Sequence, residues 1–393
     1  MATVHERCVI GWDIGGAHVK ACLLLGGEVQ DVAQWACPLW LGMDQLESVL
    51  QAARARWPVM AAAQHAVTMT GEMVDLFANR EDGVRRIAAE LARSLVAPST
   101  LGPAGSGPGS VHFFAGDTGW CRDADVPARW GAIASANWLA TARHAALRFG
   151  TGVLVDIGST TTDLIAFRAG LVLTRSRTDA HRLELGELVY HGVVRTPLCA
   201  LAPRIAWRGT PHNVMNEFFA TAADVYRMTD ELNPAHDLYP SADNGPKDLP
   251  ATRQRLARMI GLDQREGTED EWRAFAIAWR EAQVAELGGQ LRRVMAAHGL
   301  GREAVIVSAG CGDFLVHDVL ANAIAATPIQ ATLDAPRTEA IAEPSSGHRL
   351  ATYGVDVART AARAAAGRAA VQAWAQVCAP CVAVATLFDM DQR

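Results

Sequence analysis

Apolar residues recur along the chain in two similar patterns, each of which predicts a pair of strands joined by a glycine turn. From Cys8 the sequence reads C-V-I-G-W-D-I-G-G-A-H-V-K-A-C-L-L-L-G-G, an apolar strand, a Gly-rich turn and a second apolar strand. From Gly152 the same order returns as G-V-L-V-D-I-G-S-T-T-T-D-L-I-A-F. A repeat at this distance predicts two related lobes rather than a solenoid, whose repeats span about 20 to 50 residues.

Elsewhere the pattern alternates between helix and strand. Helical spacing predicts helices over 43–56, 83–95, 217–232, 269–298 and 350–370, and apolar runs predict strands over 66–70, 111–115 and 304–313. The Gly-, Pro- and Ser-rich stretch 97–110 and the polar stretch 233–250 are predicted loops. Strands that alternate with helices favour the α/β class.

The length of 393 residues exceeds one ordinary hydrophobic core and predicts two domains. We place a first lobe at 1–149, a second lobe at 150–349 with a helical insertion around 213–300, and a C-terminal helical segment at 350–393 that closes back on the first lobe.

Composition and charge narrow the classes of partner. The net charge of −6 and the scattered basic residues argue against a nucleic-acid partner. No apolar run reaches the roughly 18 to 20 residues that span a bilayer, and residues 1–10 lack the order of a secretion signal. The expectation is a cytoplasmic protein with small-molecule substrates, no membrane partner and reduced thiols.

The first turn, W-D-I-G-G-A-H-V-K, carries groups suited to a phosphate and its metal. Gly15 and Gly16 allow backbone N–H groups to approach phosphate oxygens, Asp13 suits a hydrated Mg²⁺, and Lys20 adds a positive charge. Taken alone, this motif is also typical of a hairpin with an Asx-type turn.

The second turn is richer in hydrogen-bond donors. Gly158 and the run Ser159, Thr160, Thr161 and Thr162 suit phosphate oxygens, and Asp156 suits a base or a metal ligand. A third motif, S-A-G-C-G, carries Gly310 and Gly312. Three such motifs in this order argue against a plain hairpin at each turn.

This order resembles the superfamily of acetate and sugar kinases, heat-shock chaperone ATPases and actin, in which two phosphate motifs precede a glycine motif that faces adenosine. The segment A-T-Y-G-V-D-V-A at 351–358 resembles the superfamily's closing helix. The resemblance implies a two-lobed actin-like ATPase fold, a duplicated ribonuclease H-like α/β architecture. Its central cleft would hold a phosphorylated ligand and its metal between the Asp13 and Asp156 turns.

More narrowly, T-T-D-L-I-A-F and G-E-L-V-Y-H-G-V-V-R-T-P-L at 186–198 resemble the hydantoinase A and oxoprolinase group, with Arg195, Thr196 and Pro197 characteristic. M-T-G-E-M-V-D at 69–75 and F-F-A-T-A-A-D-V-Y-R at 218–227 resemble its branch linked to tetrahydromethanopterin-dependent one-carbon metabolism, which includes methanofuran-biosynthesis enzymes.

The branch implies a transferase that joins an aminomethyl-furan-methanol diphosphate to the phenol oxygen of a γ-glutamyl tyramine and releases diphosphate. In a bacterium the analogue would serve methylofuran, with tyrosine as another possible acceptor. Mg²⁺ is the expected cofactor, and binding of ATP is left open.

A phenol has a pKa near 10, so its attack needs a base or a cation. Glu72, His18 and Asp117 are the candidates. Equally, Glu72 suits a solvated loop acid, His18 an ordinary hairpin side chain and Asp117 a turn residue.

Arg195 suits contact with a substrate anion or an interior ion pair. The acids and Lys247 of the segment 236–248 suit a loop that closes over a metal-bound diphosphate, and they suit an acidic surface loop better. The Cys378 and Cys381 pair lacks zinc-ligand spacing.

Two other functional classes remain on the same fold. One is an ATP-dependent amidohydrolase or small-molecule kinase, although the chain lacks the extra length of large hydantoinase-type enzymes. The other is a non-catalytic nucleotide-binding switch, for which the sequence offers no partner-binding extension.

Overall fold

Residues 7–95, 110–325, 347–362 and 367–393 are described by the computed structural model. The chain divides into two units. Unit 1 comprises the described residues up to Thr151, Phe167–Asp179 and those from Ala351 on, whereas unit 2 comprises Gly152–Ala166 and the described residues of Ala180–Leu350. The predicted boundaries at 149 and 349 lie near these divisions, but the return of Phe167–Asp179 to unit 1 was not predicted. The predicted loop 97–110 lies outside the described residues, except for Ser110.

Strands and helices alternate through both units, which confirms the α/β class. The strands are β1 Cys8–Ile14, β2 His18–Leu25, β3 Glu28–Ala36, β4 Gln64–Met69, β5 Val111–Phe114, β6 Trp120–Cys121, β7 Gly152–Ile157, β8 Thr162–Arg168, β9 Leu171–Val172, β10 Leu188–Val189, β11 Arg204–Trp207, β12 Thr210–Asn213, β13 Val305–Ala309 and β14 Leu350–Thr352. The helices are α1 Asp44–Arg56, α2 Arg80–Leu95, α3 Val126–Ile133, α4 Asn137–Phe149, α5 Asp179–Leu185, α6 Leu198–Leu201, α7 Ala222–Met228, α8 Leu249–Arg258, α9 Glu269–Ala297, α10 Val316–Ala325, α11 Arg368–Val377 and α12 Ala379–Asp391.

The sheet of unit 1 has the strand order β3-β2-β1-β4-β5-β6. β1 pairs with β2 as the predicted antiparallel hairpin, and β1, β4 and β5 run parallel. Ile10, Trp12 and Ile14 of β1 enter one hydrophobic core, while α12 packs against β1, β2 and β4. Because β1, β4 and β5 are parallel, the residues that follow them meet at one carboxyl edge of this sheet.

The sheet of unit 2 repeats this arrangement. Its strand order includes β10-β8-β7-β13, so β7 lies between its hairpin partner β8 and the parallel strand β13, as β1 lies between β2 and β4. Asp13 and Asp156 are each the last residue but one of the central strand. The predicted duplication is therefore confirmed at the level of strand order within each unit.

Two helix predictions need correction. The helix predicted over 217–232 is only α7, because Thr221 and Asp224 form a reciprocal capping box that starts it at Ala222. The helix predicted over 350–370 is wrong for residues 350–362, which include β14 and a single π-helical turn, Tyr353–Val357, whereas residues 368–370 begin α11. After that turn, the Arg359 carbonyl and the Ala361 N–H bond to Val29 at 2.7 and 2.9 Å, and these bonds replace helical ones.

Among the described residues, no single helix is long and apolar enough to cross a bilayer. Only α11 and α12 taken together meet that test of length and composition, and they are bent by 101°.

Two neighbouring glycines of α9 provide a test of the packing in unit 2. A Cβ on Gly288 would lie 2.5 Å from Asn322 Oδ1 and 2.8 Å from Asn322 Cβ, whereas a Cβ on Gly289 would meet nothing closer than the end of Arg292, at 3.9 Å. We expect Gly288→Ala to lower the free energy of unfolding by about 1 to 3 kcal/mol, since it forces α9 and α10 apart.

The matched control, Gly289→Ala, should leave stability unchanged or raise it by up to about 1 kcal/mol through helix propensity. Urea denaturation of both variants measures the difference. Equal effects of the two substitutions would contradict the described contact between α9 and α10.

Candidate functional site

The turn between β1 and β2 is tightly packed around its two glycines. Gly15 N–H donates to the His18 carbonyl at 2.9 Å. A Cβ on Gly15 would lie 2.7 Å from that carbonyl oxygen, and one on Gly16 would lie 2.6 Å from Val74 Cγ1. Both distances are too short for a side chain, so this backbone course requires glycine at both positions.

Asp13 and Lys20 are direct cross-strand partners beside this turn. Asp13 is 5% exposed, and Lys20 is half-buried. Lys20 Nζ donates at 3.2 Å to the carbonyl of Val377, the last residue of α11, where the helix dipole favours a cation. The structure thus brings together the predicted carboxylate and the predicted cation of the first motif.

Three buried thiols lie near this pair, those of Cys22, Cys378 and Cys381. Burial raises the pKa of Cys381 well above its usual value, and the neighbouring Cys378, Cys22 and Asp13 raise it further. Such thiols are poor nucleophiles. Among the described residues, no group of three or more His, Cys, Asp and Glu is arranged to hold a metal ion, so a zinc site at the Cys378 and Cys381 pair has no support there.

Glu72 follows β4 at the carboxyl edge of the unit 1 sheet and is 1% exposed. Its Oε1 accepts hydrogen bonds from Ser135 Oγ at 2.7 Å and from Arg80 Nη2 at 3.3 Å. Its Oε2 is buried without a hydrogen-bond partner. Burial raises the pKa of Glu72, against the opposing effect of Ser135, of the backbone N–H of Glu72 itself and of Arg80. The expectation of a solvated loop acid is therefore wrong for Glu72.

Ser135 connects Glu72 to the segment between α3 and α4. Its φ of 50° lies in the left-handed region, which a residue other than glycine rarely adopts. Its Oγ donates to Glu72 and accepts from Arg80 Nη2 at 2.9 Å. A strained backbone that places a hydroxyl on a buried acid is typical of functional sites.

The first turn of α2 also packs closely on Glu72. A Cβ on Gly83 would lie 2.6 Å from the Glu72 carbonyl oxygen and 2.8 Å from Glu72 Cβ. Glycine at position 83 therefore lets the helix that carries Arg80 reach the acid.

Asp117 lies after β5 at the same edge of the sheet, and its side chain is 54% exposed. Arg177 Nε donates to it at 2.7 Å, and Arg143 Nη2 forms a second ion pair with it. Hydrogen bonding from Arg177, and next the charges of both arginines, lower the pKa of Asp117. Asp117 is therefore a weaker base than Glu72 and holds two arginines in place.

A cavity of about 300 Å³ opens between these elements within unit 1. Its walls are mainly small and apolar, and its polar or aromatic lining comes from Asp117, Thr118, Ser135, Trp138 and Arg177. Arg177 Cζ lies 5.9 Å from the ring centroid of Trp138. Ser135 is thus both a wall of this cavity and the donor to Glu72.

In unit 2, the turn after β7 places Ser159, Thr160 and Thr161 at half-buried positions, and Asp156 is also half-buried. Gly158 N–H donates to the Thr161 carbonyl at 2.8 Å and closes the turn. Thr162 is fully buried, and its Oγ1 donates to the His191 carbonyl at 2.7 Å.

The segment 191–196 packs against this turn and holds it through backbone hydrogen bonds. Val194 and Arg195 donate their N–H groups to the Ser159 carbonyl at 3.1 and 2.8 Å. A Cβ on Gly192 would lie 2.4 Å from both Ser159 C and Thr160 N. The close approach of Gly192, which the sequence analysis had not singled out, therefore determines the shape of the predicted phosphate turn.

Gly310 and Gly312 follow β13 and pack on the end of β7. A Cβ on Gly310 would lie 2.2 Å from the Ile157 carbonyl and 2.6 Å from Asp156 Oδ1, and one on Gly312 would lie 2.5 Å from Ile157 Cγ2. Gly312 N–H donates to the Ile157 carbonyl at 2.8 Å. The third motif thus lies against the second motif within unit 2.

The Arg195 side chain extends from the segment that supports the phosphate turn to the polar loop 236–248. Arg195 Cζ is 5.6 Å from the ring centroid of Tyr239. The loop charges have partners in their own unit: Asp237 with Arg227 and Lys247, Asp243 with Arg255, and Asp248 with the N–H of Ala251. These contacts favour the surface-loop interpretation of 236–248.

Comparison with known proteins adds a family and two named relatives. The family model described as hydantoinase/oxoprolinase matches residues 63–362. The chain is 28% identical over 269 residues to the (4-{4-[2-(gamma-L-glutamylamino)ethyl]phenoxymethyl}furan-2-yl)methanamine synthase of Methanocaldococcus jannaschii, which covers 68% of this chain and 76% of that protein. It is 30% identical over 170 residues to the synthase of the same name from Methanococcus vannielii, which covers 43% of this chain and 75% of that protein.

Among solved structures, a ROK family glucokinase from Streptomyces griseus is similar at 12% identity with a TM-score of 0.44, over 97% of this chain and 98% of that one. A nucleotide-free acetone carboxylase structure has the same identity and TM-score, over 79% of this chain and 66% of that one.

The buried carboxyl group of Glu72 predicts an unusual pH dependence of stability. Because its pKa is raised in the folded state, this acid's contribution to stability is present below about pH 4.5 and is lost as the pH rises through the folded-state pKa. Relative to the wild type, we expect Glu72→Gln to gain stability across that window by about 1.4 kcal/mol for each unit by which the pKa is raised.

Urea denaturation between pH 4 and pH 8 measures this difference. The control is Glu81→Gln, the same change at an exposed acid in the first turn of α2, which should follow the wild-type curve. A Glu72→Gln curve parallel to that of the wild type would show that the acid is not buried as described.

Proposed function

The chain belongs to the hydantoinase/oxoprolinase family, and we propose that it is a transferase of methanofuran-type cofactor biosynthesis. It would join an aminomethyl-furan-methanol diphosphate to a phenol oxygen and release diphosphate, in support of tetrahydromethanopterin-linked one-carbon metabolism. The named relatives are synthases of a phenoxymethyl-furan amine, which supports an enzyme of this pathway.

The observation that carries the proposal is the placement of Glu72. A buried acid with a raised pKa lies at the same sheet edge as the Asp13 turn, in a chain similar to phenoxymethyl-furan synthases. Formation of an aryl ether from a phenol requires removal of the phenolic proton, and an acid of raised pKa accepts that proton near neutral pH better than an ordinary carboxylate does.

Of the three candidate bases, Glu72 is the one we propose. Its carboxyl group is buried, its pKa is raised, and its Oε1 accepts a hydrogen bond from Ser135, a residue of the cavity wall. Asp117 has a lowered pKa and two arginine partners. His18, which is 7% exposed, lies at the start of β2 rather than beside the cavity lining.

The first turn is proposed to hold the leaving diphosphate. Gly15 and Gly16 offer close approach of the backbone, and Lys20 offers positive charge. Mg²⁺ in such sites is usually held by one or two carboxylates together with phosphate oxygens and water, and a single carboxylate at Asp13 or Asp156 fits that donor set. The ion would supply neutralising charge for the departing diphosphate.

The second turn is proposed to contribute further phosphate contacts. Its half-buried hydroxyls at Ser159, Thr160 and Thr161 suit an anion. Thr162, whose hydroxyl donates to the His191 carbonyl, would act indirectly by holding the turn in place.

Gly310 and Gly312 are proposed to lie beside the bound nucleotide or substrate, and Arg195 is proposed to contact a charged group of that ligand. A diphosphate electrophile needs no ATP, so ATP is not required by this reaction.

The test incubates the purified protein and Mg²⁺ with the furan-methanol diphosphate and a tyramine or tyrosine phenol. Mass spectrometry should find the aryl ether and diphosphate in equal amounts. We expect Asp13→Ala and Asp156→Ala to lower kcat/KM at least about 100-fold, because each removes a proposed ligand of the ion that would neutralise the leaving diphosphate.

The control variant is Asp263→Asn, at a half-buried acid of unit 2 that pairs with the neighbouring Arg265, and it should retain wild-type activity. ATP turnover without ether formation would reject the proposal in favour of a hydrolase or kinase.

A separate prediction concerns Glu72 itself. We expect Glu72→Gln to lower kcat about 100- to 10,000-fold, the usual range for loss of a general base. The remaining activity should lose the acidic limb of the wild-type pH profile, since that limb reports ionisation of Glu72. An unchanged acidic limb in the variant would assign the base to another group.

A further inference from the structure

We infer that the cavity of unit 1 is the acceptor pocket, and that its acceptor is a phenol whose side chain carries a carboxylate. The inference rests on the proposed transferase function and adds the acceptor's binding site and class. It also assigns a proton path from the bound phenol through Ser135 to Glu72.

The cavity has the size of a small aromatic ligand. Its volume of about 300 Å³ lies at the lower end of the range for small-molecule sites, about 300 to 1,000 Å³. The lining consists mostly of glycine, alanine and leucine, with the indole of Trp138. An apolar wall with one aromatic side chain favours a ring over a flexible polar substrate.

The polar groups of the lining lie where a phenol needs them. Ser135 Oγ uses its hydrogen for Glu72 and one lone pair for Arg80. A hydroxyl oxygen has two lone pairs, so one acceptor position remains for a phenolic O–H, beside the Met73 sulfur at 3.9 Å. A phenol in the cavity would donate to Ser135, while Ser135 donates to Glu72.

This arrangement gives a balanced reaction. The phenol oxygen forms a bond to the furan methylene carbon, and the bond from that carbon to the diphosphate oxygen breaks. The phenolic proton passes to Ser135 Oγ as the Ser135 proton passes to Glu72 Oε1. Diphosphate leaves with the bonding electrons, and Glu72 ends protonated.

The charges at the cavity indicate what the acceptor carries besides its ring. Asp117 and Arg177 both line the cavity, and Asp117 is shared between Arg177 and Arg143. Arg177 is the cavity-lining arginine that an anionic substituent would meet. Its Nε and Nη1 are engaged by Asp117 and by two backbone carbonyls, so a carboxylate would bind through Nη2.

The orientation of Arg177 supports this role. Its Nε donates to Asp117 at 2.7 Å, and its Nη1 donates to the carbonyls of Thr174 and Ser176 at 2.7 and 2.9 Å. These contacts hold the guanidinium in one orientation near the Trp138 ring. A pre-oriented cation beside an aromatic wall suits a phenol that ends in a carboxylate, such as tyrosine, better than an amine such as tyramine.

Direct binding tests the pocket without relying on catalysis. Tyrosine and tyramine are titrated into the full chain by calorimetry, with and without Mg²⁺ and inorganic diphosphate. We expect tyrosine to bind at least 10-fold more tightly than tyramine in at least one of the two conditions. Arg177→Gln should bring the affinity for tyrosine down to that for tyramine, and the control Arg265→Gln, at an exposed arginine of unit 2, should change neither.

A second variant fills the cavity. Ala132 lines it and is exposed, so Ala132→Phe places a ring in the cavity at little cost to folding. We expect it to reduce tyrosine binding at least 10-fold. Unchanged binding in Ala132→Phe, or equal affinities for the two phenols, would overturn the inference, as would the lack of any binding in either condition.

The role of Ser135 is tested by two deletions of its hydroxyl. Ser135→Gly relieves the left-handed backbone and Ser135→Ala does not, so the two should differ in thermal stability. If Ser135 carries the proton, both should lose kcat to a similar extent and keep the KM for tyrosine. If the less stable of the two variants instead loses more kcat, the role of Ser135 is structural.

The pocket and the transferase function can be rejected independently of each other. If ether forms but Ala132→Phe leaves the KM for the phenol unchanged, the pocket is wrong and the transferase stands. If tyrosine binds and Ala132→Phe blocks it, yet no ether forms, the pocket stands and the transferase is wrong.

Discussion

The burial of one carboxyl group, that of Glu72, is the constraint around which the site of unit 1 is organised. Removing a carboxylate from water is costly unless donors compensate for it, and here Ser135 and Arg80 supply only one of its oxygens. Two further features that cost conformational free energy accompany its burial, the positive φ of Ser135 and the helical glycine at position 83. A stability-driven sequence would replace such an acid, so its presence argues for a chemical role.

The duplicated strand order explains why the other functional groups lie where they do. In each unit, a central strand has an aspartate as its last residue but one and a glycine directly after its end, and a parallel neighbour brings a second loop to the same edge. In unit 1 that loop carries Glu72, and in unit 2 it carries Gly310 and Gly312 against Asp156. One architecture thus provides a proton-accepting edge in one unit and a glycine-lined edge in the other.

The sequence predicted the parts of this fold that depend on local pattern. Both hairpins, the helices α1 and α9, and the strand β13 follow from periodicity and capping, because burial of one face acts within each segment. The helix prediction failed for the Ala-rich stretch after Leu350. There, Arg359 and Ala361 form backbone hydrogen bonds with Val29, which is distant in sequence, instead of the bonds of a helix. Ser135, Gly192 and Arg177 escaped notice for a similar reason: each matters through a contact with a residue far along the chain.

In the proposed reaction the phenol oxygen attacks the furan methylene carbon and diphosphate leaves intact. Tyrosine labelled with ¹⁸O in the phenolic hydroxyl tests this step when product masses are read after a single turnover. We expect the aryl ether to retain all of the label and diphosphate to have its natural mass. Labelled phosphotyrosine formed with ATP, or label released into phosphate or solvent, would contradict this expectation.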